Sequence, residues 1–72
     1  MKSINNLEEA RQAIESFEGL PEDFVLPISD ELHDSIGLNI AIITDHILAK
    51  GWMPNGAEQR EGFKIYRYKE LD

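Results

Sequence analysis

The strongest constraint on the fold is an aliphatic stripe in the middle of the chain, within "SDELHDSIGLNIAIITDHILAKG", residues 29–51. Its members recur at helical spacing, which keeps them on one side of a helix: Leu32, Ile36, Ile40, Ile43 and Ile47. Ser29 is placed to cap the start and Gly51 to end it. Because Gly37 interrupts the stripe, and glycine costs a helix interior about 1 kcal/mol relative to alanine, the pattern predicts either one helix with a weak point or two helices.

The first part of the chain, "NNLEEARQAIESFEGLP", predicts a separate amphipathic helix. Asn6 can cap its first turn, and Glu9 three residues later has the spacing of a capping box. Its apolar residues share one face: Leu7, Ala10, Ile14 and Phe17. Gly19 and Pro21 are predicted to stop it. Residues 23–28 then predict a short edge strand in preference to an extended crossover, since Pro27 cannot donate to a ladder.

The last segment, residues 49–71, predicts a β-hairpin. Its arms are "GWMP" and "GFKIYRYK", around a polar tip, "NGAEQRE". Alternation in the second arm places Phe63 and Ile65 on one face and Tyr66 and Tyr68 on the other. We expect the Phe63 and Ile65 face to meet the helices in the core.

These elements predict an α+β fold in which two or three helices pack on a small antiparallel sheet with a C-terminal β-hairpin. Seventy-two residues suit a single small globular domain, 1–72. The chain contains no cysteine, so packing rather than disulfides or thiolate zinc sites must hold it together. Its longest aliphatic run, "IAII", is too short to span a bilayer, and we expect a cytoplasmic protein that does not contact membranes.

The net charge of −7 is concentrated at the front of the chain. Residues 1–34 carry nine acidic against two basic residues, whereas residues 35–72 carry five of each. Binding to nucleic acids depends on neutralising phosphates with Lys and Arg, so this charge disfavours a nucleic-acid partner. It favours a protein partner, and it leaves open an acidic inhibitor that mimics nucleic acid.

Catalytic or metal chemistry has weak support in the pattern. His33 lies near Asp30 and Asp34, and His46 follows Asp45. Each histidine is the direct neighbour of an aspartate in sequence, and neighbouring residues of a helix project in different directions, so the pair does not have the spacing of metal ligands. No serine lies in a nucleophile-elbow context, and no glycine-rich loop precedes a helix. We therefore predict no enzyme activity, no metal and no cofactor.

The second half of the chain resembles winged-helix domains, in which a helix-turn-helix is followed by a β-hairpin wing. The resemblance covers residues 29–69, with a helix, a glycine turn, an apolar helix, "AKGW" and a basic hairpin ending "KIYRYKE". It implies nucleic-acid binding through the second helix and the wing. That helix, "NIAIITDHIL", offers few donors for base edges, so the resemblance points to a version that contacts proteins.

The hairpin carries the residue types that are enriched at protein interfaces, aromatic side chains beside arginine. The predicted protein-binding residues are Trp52, Met53, Arg60, Tyr66, Arg67 and Tyr68. For Trp52 the favoured alternative is a place in the core, and for Tyr66 and Tyr68 the sequence leaves exposure and burial open. The predicted function is that of a small accessory or regulatory protein that acts through contacts with an unidentified protein or with a second copy in a homodimer. The alternative is a winged-helix nucleic-acid binder that uses its basic hairpin.

Overall fold

The computed structural model describes residues 3–36 and 39–71. Within these ranges the chain forms three α-helices and three strands: α1 (Leu7–Ser16), β1 (Val25–Ser29), α2 (Asp30–Ile36), α3 (Asn39–Ala49), β2 (Trp52–Arg60) and β3 (Phe63–Glu70). A 3₁₀ turn at Pro21–Asp23 joins α1 to β1. The strands form one antiparallel sheet in the order β1-β3-β2. The predicted α+β fold with a C-terminal hairpin is confirmed.

The first turns of α1 and α2 are capped by the side chains predicted from the sequence. The Asn6 side chain accepts a hydrogen bond of 2.9 Å from the Glu9 N–H at the start of α1. The Ser29 hydroxyl accepts one of 3.1 Å from the Leu32 N–H, so β1 passes directly into α2. Each side chain satisfies a backbone donor that a helix start leaves without an intrahelical acceptor.

The segment after Ser29 forms two helices, which is one of the two predicted alternatives. Gly37 and Leu38, where the predicted break falls, lie outside the described residues, as do the side chains of Ile36 and Ile40. The other three members of the predicted stripe are buried: Leu32, Ile43 and Ile47. Their burial confirms the helical phase on which the prediction depended.

Strand β1 occupies one edge of the sheet, and its proline fits that place. Pro27 pairs with Ile65 of β3, and its carbonyl accepts a hydrogen bond of 2.7 Å from the Ile4 N–H on the opposite side. The nitrogen and carbonyl of one strand residue point to the same side, so the Pro27 nitrogen points away from β3. The absence of an N–H at Pro27 therefore costs no hydrogen bond to β3. The N-terminal segment at Ile4 thereby covers part of this edge.

The hairpin is longer and tighter than predicted. Its turn is Glu61 and Gly62, with φ of +85° at Gly62, and most of the predicted polar tip belongs to β2. The Asn55–Gly56 pair, which reads as a turn signal, instead forms an irregularity in the ladder between Pro54 and Ala57, with φ of +94° at Gly56. Glycine permits either use, since a bulge and a turn both accept positive φ.

The core lies between the helices and one face of the sheet, and this face is not the predicted one. The register confirms that Tyr66 and Tyr68 share a face, but Tyr68 is a core residue and Tyr66 packs against the core. Phe63 and Ile65 lie on the outer face, where Ile65 is buried between its cross-strand neighbours Pro27 and Glu58. Phe and Ile are more apolar than Tyr, but tyrosine rings bury large areas when the hydroxyl reaches water or a partner.

Two polar contacts tie the elements together at opposite ends. The Asp30 N–H at the start of α2 donates to the Gly62 carbonyl at 3.0 Å, which fixes the hairpin turn against that helix. The Lys50 ammonium, just after α3, donates to the Phe17 carbonyl at 2.8 Å and lies 5.0 Å from the centre of the Trp52 ring. Lys50 thus supplies the positive charge that the last turn of α1 lacks. None of the described helices has the length and apolarity needed to cross a membrane.

Candidate protein-contact surface

Helix α3 is apolar on the side that faces away from the core as well as on the side that faces it. Ile43 and Ile47 are buried, while the outward side exposes a set that we name the α3 face: Ala41, Ile42, Asp45, Leu48 and Ala49. Ile42 is 40% exposed and Leu48 is 43% exposed, and at helical spacing they lie on either side of Asp45. The α3 face therefore offers apolar area with a single carboxylate.

Helix α1 shows the opposite arrangement. Its buried side carries Ala10 and Ile14, and its exposed positions are acidic or polar. On this outer side Arg11 forms ion pairs with Glu8 and with Glu15, the latter at 2.6 Å, and Arg11 lowers the pKa of the Glu8 carboxyl by hydrogen bonding. This is an ordinary solvated helix surface, and the α3 face differs from it.

An apolar cleft lies between α3 and the hairpin. Its volume is about 130 Å³, and it is lined by Ile43, Thr44, Pro54, Tyr66 and Tyr68. An engineered apolar cavity of about 150 Å³ is large enough to hold a benzene molecule, so the cleft suits a single aliphatic or aromatic side chain. On the other flank of α3 a groove of about 280 Å³ separates it from α1, lined by Ile14, Glu15, His46, Ala49 and Lys50.

Two of the predicted protein-binding residues, Trp52 and Tyr68, are in the core. They are 6% and 3% exposed, and the Phe24 ring contacts both, with centroids 5.5 Å from Trp52 and 5.9 Å from Tyr68. Burial raises the pKa of Tyr68. The structure places Trp52 in the core, as one of the two sequence readings had it, and neither ring is available at the surface.

Tyr66 is half-buried, and its hydroxyl has a partner within the molecule. The Tyr66 hydroxyl lies 2.7 Å from the His33 Nε2 atom of α2, and the Lys64 ammonium lies 5.7 Å from the centre of the Tyr66 ring. Burial raises the pKa of Tyr66. The Tyr66 side chain of β3 is therefore a structural partner for His33 of α2. Among the described residues no group of three or more His, Cys, Asp or Glu side chains is placed so that it could hold a metal ion.

The remaining predicted residues lie on the other side of the hairpin. Arg60 and Arg67 are exposed on the outer face of the sheet, and both approach Glu58, at 2.6 Å and 3.6 Å. Met53 is half-buried and pairs with Lys69. Paired residues share a face, so Lys69 also lies outward, whereas Lys64 lies on the helix side over Tyr66. The hairpin thus has three of its four bases on the outer face together with Phe63, whereas Lys64, Trp52 and both tyrosines lie on the helix side.

Ile42 and Leu48 are the surface residues that the sequence analysis did not select. The available signal was the apolarity of "NIAIITDHIL" around its whole circumference, which indicates a buried helix. The structure buries one side only. Within the described residues, α3 is thus a largely apolar helix whose outward side is not covered.

The fold and this surface define a small α+β protein whose third helix packs on α1 and the sheet and leaves an apolar side open. Comparisons with family models, curated proteins and solved structures give no match for this chain. The function must therefore be argued from the α3 face itself.

Proposed function

We propose that this protein is a small accessory or regulatory protein that binds another protein through the α3 face and performs no catalysis. The observation that carries the proposal is the exposure of Ile42 and Leu48 on a helix in which seven of eleven residues are apolar. Helices of this composition are stable when covered, and exposed apolar areas with polar surroundings are typical of protein-contact sites. The adjoining cleft against Tyr66 and Pro54 adds a place for one anchoring side chain.

The charges near this surface support a protein rather than a nucleic acid as the ligand. The α3 face carries Asp45 and no Lys or Arg. Lys50, the nearest base in sequence, is bound to the Phe17 carbonyl. On the hairpin, Glu58 offsets part of the charge of Arg60 and Arg67. Phosphate contacts need several converging cations, and this arrangement supplies few.

The order of elements supports a winged-helix-like variant. Helices α2 and α3 are followed by the β2–β3 hairpin, which is the order that the resemblance implies for a helix-turn-helix and its wing. In this proposal α3 takes the position of the second helix of that motif. Its outward side presents Ile42 and Leu48 where a DNA-reading helix would need hydrogen-bond donors.

Site-specific photo-crosslinking in the native cells tests the proposal. A photoreactive phenylalanine at Leu48 should give a discrete adduct, because Leu48 borders the proposed contact. The same group at Leu20, which is 57% exposed but lies off α3, serves as the matched position and should give no comparable adduct.

The adduct at position 48 should also disappear when Ile42→Ser is added, while Leu20→Ser should leave it unchanged. Equal adducts at positions 20 and 48, or an adduct at 48 that survives Ile42→Ser, would contradict a contact through the α3 face. An adduct of twice the 8.2 kDa chain would identify a second copy as the partner.

A further inference from the structure

Resting on the proposed function, we further propose that the α3 face binds a basic amphipathic helix of another protein, rather than a second copy of this chain. The inference depends on the charges that border the apolar area and on the shape of that area. Each is given by residues of α1, α3 and the hairpin.

The α3 face and its border toward α1 carry three carboxylates. Asp45 lies on the face itself, and Glu15 of α1 lines the groove beside His46 and Ala49. Glu8 lies on the same outer side of α1, and one guanidinium, Arg11, serves both Glu8 and Glu15. Lys50 lines the same groove, so three carboxylates against Arg11 and Lys50 leave one negative charge beside the apolar residues. A partner that places Lys or Arg beside its apolar residues would complement both the apolar area and these charges.

A second copy fits this surface poorly. In a symmetric dimer formed face to face, each chain presents the same patch to the other, so the two Asp45 carboxylates at the centre of that patch would approach one another. Each chain also carries a net charge of −7. Like charges brought together at an interface oppose association, whereas a basic partner gains from the same residues.

The shape of the surface suits a helix. Helix α3 has 11 residues, a length of about 16 Å, and its open side lies between the groove against α1 and the cleft against the hairpin. An open helix side with apolar residues and a cleft on each flank is the kind of surface on which amphipathic helices bind, with apolar anchors at helical spacing. The cleft of about 130 Å³ would accept one such anchor.

Three synthetic peptides of about 18 residues, long enough to form helices, test the inference. The first is an amphipathic Leu/Lys helix, the second has Glu in place of every Lys, and the third has the Leu/Lys composition in a scrambled order without an apolar face. Binding is followed by NMR amide shifts of the ¹⁵N-labelled full chain. We expect the amphipathic Leu/Lys peptide to bind with the largest shifts within residues 41–49, and the other two to bind at least about tenfold more weakly.

Variants of exposed residues separate the contributions. Asp45→Lys should weaken the Leu/Lys peptide and strengthen the Leu/Glu peptide, Ile42→Ser should weaken both amphipathic peptides, and Leu20→Ser should change neither. Equal binding of the scrambled peptide would show attraction by net charge alone and would overturn the inference. Shifts confined to the outer side of α1, or equal affinities for the Lys and Glu helices, would also overturn it.

The outcomes distinguish this inference from the proposed function. A sizing series that shows a dimer, lost in Ile42→Ser, would replace the basic helix with a second copy and leave the α3 face as the contact surface. If the crosslink at Leu48 depends on Ile42 but the Leu/Lys peptide does not bind, the partner chemistry is wrong and the contact surface stands. If neither the crosslink nor peptide binding is seen, both proposals fail.

Discussion

Two neighbouring isoleucines of α3 provide a stringent test of the fold and of the open helix side. Ile43 is 3% exposed in the core, and Ile42 is 40% exposed on the α3 face. Replacing each by alanine makes the same chemical change at adjacent positions of one helix. Any difference between the two variants therefore reports on burial rather than on the side chain or on helix propensity.

The expected cost of Ile43→Ala follows from its burial. Three carbon atoms are removed, and at about 0.8 kcal/mol for each buried carbon the transfer cost is about 2.4 kcal/mol. The cavity that remains raises the loss of unfolding free energy toward the upper part of a range of about 2 to 5 kcal/mol. At about 0.05–0.15 kcal/mol per residue, a domain of this size has about 4 to 11 kcal/mol in total.

Thermal and urea unfolding, followed by circular dichroism, measure both variants. A loss of 2.4 kcal/mol should lower the Tm by about 10 to 20 °C in a domain of this size. Ile42→Ala should change stability by no more than about 0.5 kcal/mol, since its side chain is largely in solvent and alanine is the better helix former. Equal losses in the two variants, or a larger loss for Ile42→Ala, would show that α3 is rotated relative to this structure.

Three further measurements test individual contacts. Ser29→Ala should lower the unfolding free energy by about 0.5–2 kcal/mol because α2 loses its cap, while Ser29→Thr should keep most of the stability because threonine can also cap. Chemical denaturation measures both variants, and an unchanged stability of Ser29→Ala would contradict a cap. Tyr66→Phe should lower the unfolding free energy by about 0.5–1.5 kcal/mol because the contact with His33 is lost. If the two side chains interact, His33→Ala should cost less stability in the Tyr66→Phe background than it does alone. Additive losses would argue against this contact. Burial raises the pKa of Tyr66 and of Tyr68, so the stability gained by burying the two protonated hydroxyls is complete below the unfolded-state pKa of about 10. This stability is lost as the pH rises through the higher folded-state pKa. Tyrosinate absorbance should therefore appear together with alkaline unfolding, and full ionisation at pH 10 in the folded chain would contradict this.

Local sequence signals predicted most of the elements because the relevant physics is local. The Asn6 and Ser29 caps involve contacts three residues apart, so the residue types alone identified them. Helical periodicity identified the buried sides of α1 and α3 for the same reason. The extended segment was also predicted close to β1, since Pro27 restricts both its own backbone and that of the residue before it.

The hairpin was predicted less well because its details depend on pairing across the sheet. Both Asn55–Gly56 and Glu61–Gly62 can form a turn, and the choice between them is made by the register of β2 against β3 over the whole ladder. The choice of buried face on β3 also depends on the partner strand. Leu26, which pairs with Tyr66, is fully buried under the helices, and this places the tyrosines inward although Phe63 and Ile65 are more apolar.

The candidate surface could not be predicted from periodicity, because an apolar helix has the same sequence pattern whether its own chain or a partner protein covers it. The residues of α3 predict a helix that is buried all round, and they do not distinguish burial within one chain from burial against another. The described fold makes that distinction, because α1 packs on one flank of α3, the sheet packs on the core side, and the described segments leave Ile42 and Leu48 uncovered. An amphipathic helix such as α1, with Arg11 between two glutamates, needs no further layer. The unequal composition of the two helices is thus the physical reason to look for a partner at α3.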